Sequence, residues 1–335
     1  MIRYLEQEEK PKIRELYDEC FHGMKELTDY YFEHILPTNY VVVNEQDEQI
    51  VSACQLVPKR AVVGQVKTII PYIYGVGTLK YQRQNGYCKE LLEKVIKDFY
   101  ADMEAFTYLI PIDSVNATIY RKLGFEYVMD KKALKSDEQR RKPTHSLMTR
   151  RADESDISRL AIFAQSSTEH SHLVTIVRDN DYFKRINRII AIEGGHIDIY
   201  FENRVIMGYR IWINGELFEE VLDDSIKGMS FLEHEGTPYL MARIINVRKT
   251  LRLLNFQGMG STVIKISDPV IEENNGVFRL KYHHGNIKLD KLDEEVEPEV
   301  EVGIAELTAH VFGYAEIDGL PKICPEDSVF INDQI

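Results

Sequence analysis

Cysteine is scarce in this chain. Cys20, Cys54, Cys88 and Cys324 are the four in 335 residues, widely spaced and without a C-x-x-C pair. That pattern excludes a disulfide framework and a zinc ribbon, and predicts reduced thiols and no metal. Basic charge is also short, with 41 Lys and Arg against 54 Asp and Glu and a net charge of −13. A nucleic-acid partner, which needs basic patches against phosphate, is therefore not expected. The acidic balance suits cationic substrates. No apolar run approaches the roughly 20 residues of a membrane span. The opening M-I-R-Y-L-E-Q-E-E-K has charge where a signal peptide has its apolar region. These absences predict a cytoplasmic protein with no membrane partner.

What is present is an ordinary apolar fraction, 44%, over a length that suits two or three domains. Helical spacing of Ile13, Leu16, Tyr17 and Cys20 predicts a first helix over 11–21, and a second follows over 24–35. Strands are predicted over 40–43, 50–56, 60–68 and 72–79. A helix over 88–100 turns Leu91, Leu92, Val95 and Phe99 inward. A buried strand follows over 105–110, then a helix over 114–123 closed by Gly124, then a strand from Phe125. The pattern is a mixed α/β layer.

The charged stretch 131–142 reads as the end of the first domain or a linker. A second unit begins near Leu147, with helices over 157–165 and 179–188. Three short strands follow, turned by Asn203 and by Asn214-Gly215. A third unit starts near Thr237, with a short basic helix over 247–254 and strands over 263–268 and 277–282. The acid-apolar alternation of 295–304 reads as a half-exposed strand, and 305–312 as a helix. The tail Val329-Phe330-Ile331 is apolar, unlike a frayed end.

The most informative segment is 75–96, an extended stretch, a polar loop and an amphipathic helix. The loop Arg83-Gln84-Asn85-Gly86-Tyr87-Cys88 lies where the helix begins. Helix starts carry unpaired N–H groups and a positive dipole end, so they bind phosphate. Gly86 allows close backbone approach and Arg83 adds charge, which suggests a nucleotide-like cofactor with a pyrophosphate.

This loop resembles motif A of the GNAT acetyltransferase superfamily, R/Q-x-x-G-x-G/A after a strand, with Cys88 in the last, small-residue place. A second block in the right order, Asn116-Ala117-Thr118-Ile119-Tyr120-Arg121-Lys122-Leu123-Gly124-Phe125, resembles the family's N…A…Y-x-K-x-G-F helix. The whole chain is similar to the Eis (enhanced intracellular survival) N-acetyltransferases, although shorter, mostly in the second unit. The stretches 238–251 and 302–314 look like parts of their C-terminal domain. The resemblance implies an α/β GNAT acyltransferase domain over 1–135 and a degenerate GNAT-like domain over 145–235. It implies a sterol-carrier-like α/β domain over 236–335, with a C-terminal tail returning to the active site.

By the same resemblance, the cosubstrate is acetyl-coenzyme A. Arg83 and the N–H groups of Gln84, Asn85, Gly86, Tyr87 and Cys88 would hold its pyrophosphate. Val76, Gly77 and Thr78 would present backbone groups to the pantetheine arm and thioester, with Asn116 nearby. Tyr120 aligns with the general acid, and the C-terminal carboxylate of Ile335 with the base. The acceptor would be a primary amine of an aminoglycoside-like or lysine-like cation. The assembly would be a homo-oligomer, hexameric in many members. The alternative is a non-catalytic acyl-coenzyme A sensor or ligand carrier. His283-His284 and Gly258-Met259-Gly260 read as solvated or turn residues, Lys80 as charge near the phosphates or simply solvated, Trp212 as core or interface, and Cys88 as a small-space filler. Glu26, Asp29 and Asp333 are candidates for an acidic amine pocket, though each reads more simply as surface.

Overall fold

The computed structural model describes residues 1–137, 139–140, 147–254, 258–321 and 328–332. Two compact units divide the chain, the first 1–129 with 239–328 and the second 130–238 with 329–335.

The first unit opens with β1 (Ile2–Tyr4), α1 (Arg14–Cys20), α2 (Lys25–Tyr30) and β2 (Tyr40–Gln46). The hairpin of β3 (Gln49–Val63) and β4 (Val66–Thr78) follows. The strand expected over 60–68 does not exist as one piece. Gly64 takes φ +63° and, with Gln65, closes a two-residue turn between Val63 and Val66, so both arms are long. Next come α3 (Tyr87–Ala101), β5 (Phe106–Leu109), α4 (Ser114–Arg121) and β6 (Glu126–Leu134). The strand β6 runs to Leu134, so the linker expected from Lys131 starts later.

Helix α3 buries the face the spacing predicts, Leu91, Leu92, Val95, Ile96 and Phe99, against Val42, Leu56 and Ile73 of the sheet. Each such side chain contributes about 1.5–3 kcal/mol on leaving water. Asp113 caps α4 by accepting the Asn116 N–H at 2.7 Å. Gly124 takes φ +87° just beyond that helix.

The second unit contains β7 (Met148–Arg151), α5 (Ile157–Ser171), β8 (Val174–Ile176) and α6 (Asn180–Glu193). The meander β9 (Gly195–Glu202), β10 (Val205–Ile213) and β11 (Glu216–Leu222) completes it. Its sheet has the order β11-β10-β9-β7. Asn214 and Gly215, at φ +50° and +79°, make the expected Asn-Gly hairpin turn. Both helices run longer than expected, and β8 is too short to show a period. Leu160, Ala164, Phe183 and Ile186 pack on Ile199, Tyr209 and Ile211.

β12 (Leu232–Ile244) then leads back to the first unit. Its residues Met241–Ile244 pair antiparallel with Leu109–Phe106 of β5. The sheet order of that unit is β1-β2-β3-β4-β5-β12-β6. The chain continues through α7 (Val247–Leu253), β13 (Met259–Ser267), β14 (Gly276–His283), β15 (Asn286–Lys291), β16 (Val300–Gly303) and α8 (Ile304–Val311). These strands form a separate sheet in the order β15-β14-β13-β16. The strand expected over 295–304 shrinks to Val300–Gly303. Val296 turns back on the Asp293 carbonyl, and Pro298 has no N–H for a ladder. The last element, β17 (Val329–Phe330), pairs parallel with Val174 and Thr175 of β8. Among the described residues, no helix is long and apolar enough to cross a membrane.

Candidate active site

The site is built on the end of β4. Ala53 of β3 pairs with Gly77, and Gln55 with Tyr74, so Gly75 and Val76 together face Cys54. This is a β-bulge, and Gly75 adopts the φ of +58° that it needs. A Cβ on Gly75 would lie 2.7 Å from Gln55 Nε2, a second reason for glycine. On its other side β4 meets β5 in register at Tyr72 and Tyr108 alone. Beyond that point residues 73–78 have no registered partner on β5, so the edge of the strand faces open space.

A cleft of about 660 Å³ occupies that space. Val76, Gly77 and Thr78 form one wall, and Arg83, Gln84, Gly86, Tyr87 and Cys88 its floor at the start of α3. Asn116 and Tyr120 of α4 form the opposite wall. Gln84 and Gly86 both have positive φ, +69° and +88°. Gly86 is the N-cap of α3 and offers no side chain, so none caps the first N–H groups of that helix. The position of its missing Cβ has nothing within 4 Å. Arg83 is steadied by its Nε–H, which donates to the Thr78 carbonyl at 3.1 Å. Asn85, expected among the binding residues, does not line the cleft; its amide turns back on Gln82 at 3.2 Å.

Tyr120 stands edge-on to Phe125, ring centroids 6.0 Å apart. Its phenol makes no hydrogen bond among the described residues. Burial, aided by the Cys88 thiol, holds it above the ordinary tyrosine value. The hydroxyl therefore stays protonated at neutral pH, the state a proton donor needs. Burial also pushes the Cys88 thiol up to about 11, so the helix start does not activate it and its small volume is its contribution.

Sequence reasoning missed seven lining residues, Cys20, Phe21, Gln82, Lys89, Ile112, Val115 and Ile119. Ile112 and Val115 are each 73% exposed, an apolar rim whose only signal is its i, i+3 spacing. Cys20 arrives from α1, and its Sγ–H donates to the Thr78 carbonyl at 3.6 Å. Glu19 accepts the Lys80 N–H at 2.5 Å and ties α1 to the end of β4.

The other candidates lie elsewhere. Asp29 pairs with Arg14 at 2.8 Å, and Glu26 is exposed. Trp212 donates to Asp198 at 3.0 Å. Met259 and Gly260 are in strand β13 rather than a turn; only Gly258 precedes it. Among the described residues no group of three or more His, Cys, Asp or Glu is arranged for a metal ion. Ile335, Asp333 and Cys324 lie outside the described residues.

The cleft thus joins a bulged strand and an uncapped helix start, with a tyrosine across from them. Residues 1–128 match the family model for the acetyltransferase (GNAT) domain, and residues 247–323 that for the sterol carrier protein domain. The chain therefore carries an enzymatic GNAT domain at its start and a sterol carrier protein domain towards its end. No curated protein matches the chain significantly. Among solved structures it is similar to a probable N-acyltransferase from Enterococcus faecalis. That pair shares 17% identity at a TM-score of 0.79, covering 94% of this chain and 90% of the other. A GCN5-related N-acetyltransferase from Anabaena variabilis gives 15% identity and a TM-score of 0.73, covering 93% and 90%. Eis1 from Mycobacterium abscessus gives 11% and 0.68, again covering 93% and 90%. At such identities the likeness is one of fold, and it includes a second GNAT-like region.

Proposed function

We propose that the protein is an acetyl-coenzyme A-dependent N-acetyltransferase that acetylates a primary amine of a cationic substrate, aminoglycoside-like or lysine-like. The observation that carries this reading is the placement of Tyr120. Tyr120 lines the same cleft as Arg83 and Gly86, and its phenol has no hydrogen-bond partner among the described residues.

In this reading Arg83 and the N–H groups from Gln84 to Cys88 hold the pyrophosphate. The unpaired edge of Val76, Gly77 and Thr78 holds the pantetheine arm, and an N–H of that edge polarises the thioester carbonyl. Tyr120 gives its proton to the departing thiolate. The carboxylate of Ile335 takes the proton of the amine or holds the cation. A carboxylate has an ordinary pKa near 3.5, so a basic role requires desolvation. The accompanying organisation is a catalytic domain over 1–135, a degenerate GNAT-like domain over 145–235 and a sterol-carrier-like domain over 236–335. We place it in the cytoplasm as a homo-oligomer.

The test is release of coenzyme A from acetyl-coenzyme A against a panel of aminoglycosides and lysine-containing peptides. Amine-dependent release supports the enzyme. Saturable thioester binding with no turnover on any amine would replace it with a non-catalytic acyl-coenzyme A sensor or carrier.

A further inference from the structure

The end of β4 is held by a buried side chain that does not reach the cleft. Ser52 of β3 is fully buried and is not among the residues that line the cleft. Its Oγ–H donates to the Gly77 carbonyl at 2.8 Å, and its Oγ accepts the Thr78 Oγ1–H at 3.0 Å. One hydroxyl thus joins two successive residues of the strand. The two bonds run in one direction, Thr78 to Ser52 to Gly77, so each polarises the other.

The backbone shows what that grip orients. Ser52 stands opposite Thr78, and Ala53 opposite Gly77. The Leu79 N–H donates to the Val51 carbonyl at 3.0 Å. In an antiparallel ladder, opposed residues alternate between bonded and non-bonded pairs. Val51 and Leu79 form a bonded pair, so Ser52 and Thr78 form a non-bonded one. Thr78 therefore turns its N–H and its carbonyl away from β3, towards the open edge. The carbonyl is taken, since it accepts the Arg83 Nε–H at 3.1 Å and the Cys20 Sγ–H at 3.6 Å. What Thr78 presents to a ligand at that edge is a donor, its N–H. The pantetheine arm of coenzyme A carries amide carbonyls that match it.

We propose that Ser52 is a positioning residue for the cosubstrate: its hydroxyl fixes the Gly77–Thr78 edge so that the Thr78 N–H meets a carbonyl of the pantetheine arm. That an acyl-coenzyme A occupies the cleft rests on the reading above. The hydroxyl chain and the direction of the N–H do not.

The experiment compares full-length wild type with Ser52→Ala, Thr78→Val and the double variant by calorimetric titration with coenzyme A and with ADP. ADP carries a pyrophosphate and lacks the arm. Ser52→Ala is expected to weaken coenzyme A by about tenfold, the worth of one well-made hydrogen bond, and ADP by less than about twofold. Thr78→Val keeps the shape of the side chain without its hydroxyl, and should weaken coenzyme A by about threefold. Both variants cut one chain, so the double variant should match Ser52→Ala instead of multiplying the losses. Hydrogen–deuterium exchange of the unliganded protein reads the edge itself. The 76–80 peptide should exchange about tenfold faster in Ser52→Ala, with β13 and β14 unchanged. Unchanged exchange there overturns the grip. Undiminished coenzyme A affinity in Ser52→Ala, or an equal loss for ADP, overturns the positioning role. Multiplied losses in the double variant overturn the chain. Should Ser52→Ala not fold, Thr78→Val decides alone, and wild-type affinity in it overturns the role. Should wild type bind coenzyme A no more tightly than ADP, no arm is held at this edge and the role falls. Wild type that binds coenzyme A and acetylates no amine ends the enzymatic reading above without touching this one, because affinity is what the titration reads.

Discussion

Arg243 donates its Nε–H to the carbonyl of Leu123 at 2.6 Å, three residues beyond Tyr120. The same guanidinium reaches the Ile244 carbonyl at 2.7 Å and Asp268 at 2.5 Å. Asp268 in turn accepts the N–H groups of Val270 and Ile271 and the Asn274 amide. Burial lowers the Arg243 pKa to about 10, with Asp268 opposing the shift. The helix that carries Tyr120 is thus braced from a segment more than 100 residues downstream. Arg243→Met would leave the Asp268 carboxylate buried without its cation. It should cost about 3–5 kcal/mol of stability, measured by denaturant unfolding.

Tyr120→Phe keeps the ring against Phe125 and removes only the hydroxyl. We expect kcat to fall by about 10²–10⁴, the usual worth of a general acid, with acetyl-coenzyme A affinity within a few fold. A mutant that turns over like wild type ends the assignment.

Two glycines with similar φ should behave differently. Gly86→Ala meets open space, so its cost to stability is about 1–2 kcal/mol of backbone strain. On the proposed binding of the pyrophosphate at this loop the new methyl obstructs it, and KM for the thioester should rise at least tenfold. Gly124→Ala drives a Cβ to 2.6 Å from Ile304 Cγ2 and 3.2 Å from Arg243 Nε. It should lower stability by about 3 kcal/mol or more. Thermal denaturation alongside kinetics separates the two.

Cys88→Ala should retain activity within about threefold, since the thiol stays protonated and acts only as bulk. Mass spectrometry after brief alkylation at pH 7.5 should find Cys88 slow to react. Rapid labelling there, or loss of turnover in the alanine variant, counts against this view.

His310 gives a pH dependence. Its Nε2–H donates to the Pro321 carbonyl at 3.0 Å, and its Nδ1 accepts the Ile317 N–H at 3.1 Å. A second proton would have to displace that N–H. Burial holds the imidazole below its ordinary value, with the Pro321 carbonyl opposing. On acidification the unfolded chain takes its proton first, near pH 6.5. The stability this group contributes is therefore full above about 6.5 and lost as pH falls from there through the lowered folded value. Urea midpoints at pH 7.5 and 5.5 should differ less in His310→Gln than in wild type.

The legible parts of the fold were those with local causes. The buried face of α3 shows as Leu91, Leu92, Val95 and Phe99 at helical spacing. The loop that begins α3 shows as a glycine and an arginine at a helix start, and Asn214-Gly215 spells out its own turn. Contacts between distant segments left no such mark. Nothing in the spacing around Cys20 says that α1 lies along the end of β4. Nothing in Met241–Ile244 says that it pairs with Leu109–Phe106. The bulge at Gly75 was hidden for a related reason. One extra residue changes which side of a strand faces the cleft, and a two-residue period cannot register it.

The pairing of β5 with β12 also sets an order of events at the ribosome. Roughly 130 residues separate the paired stretches. At about 5–20 residues per second, β5 waits on the order of ten seconds before its neighbour is synthesised. During that interval one edge of the growing sheet is bare. A factor that shields nascent strands would find its substrate there, and slowing translation between β5 and β12 should lengthen the exposure.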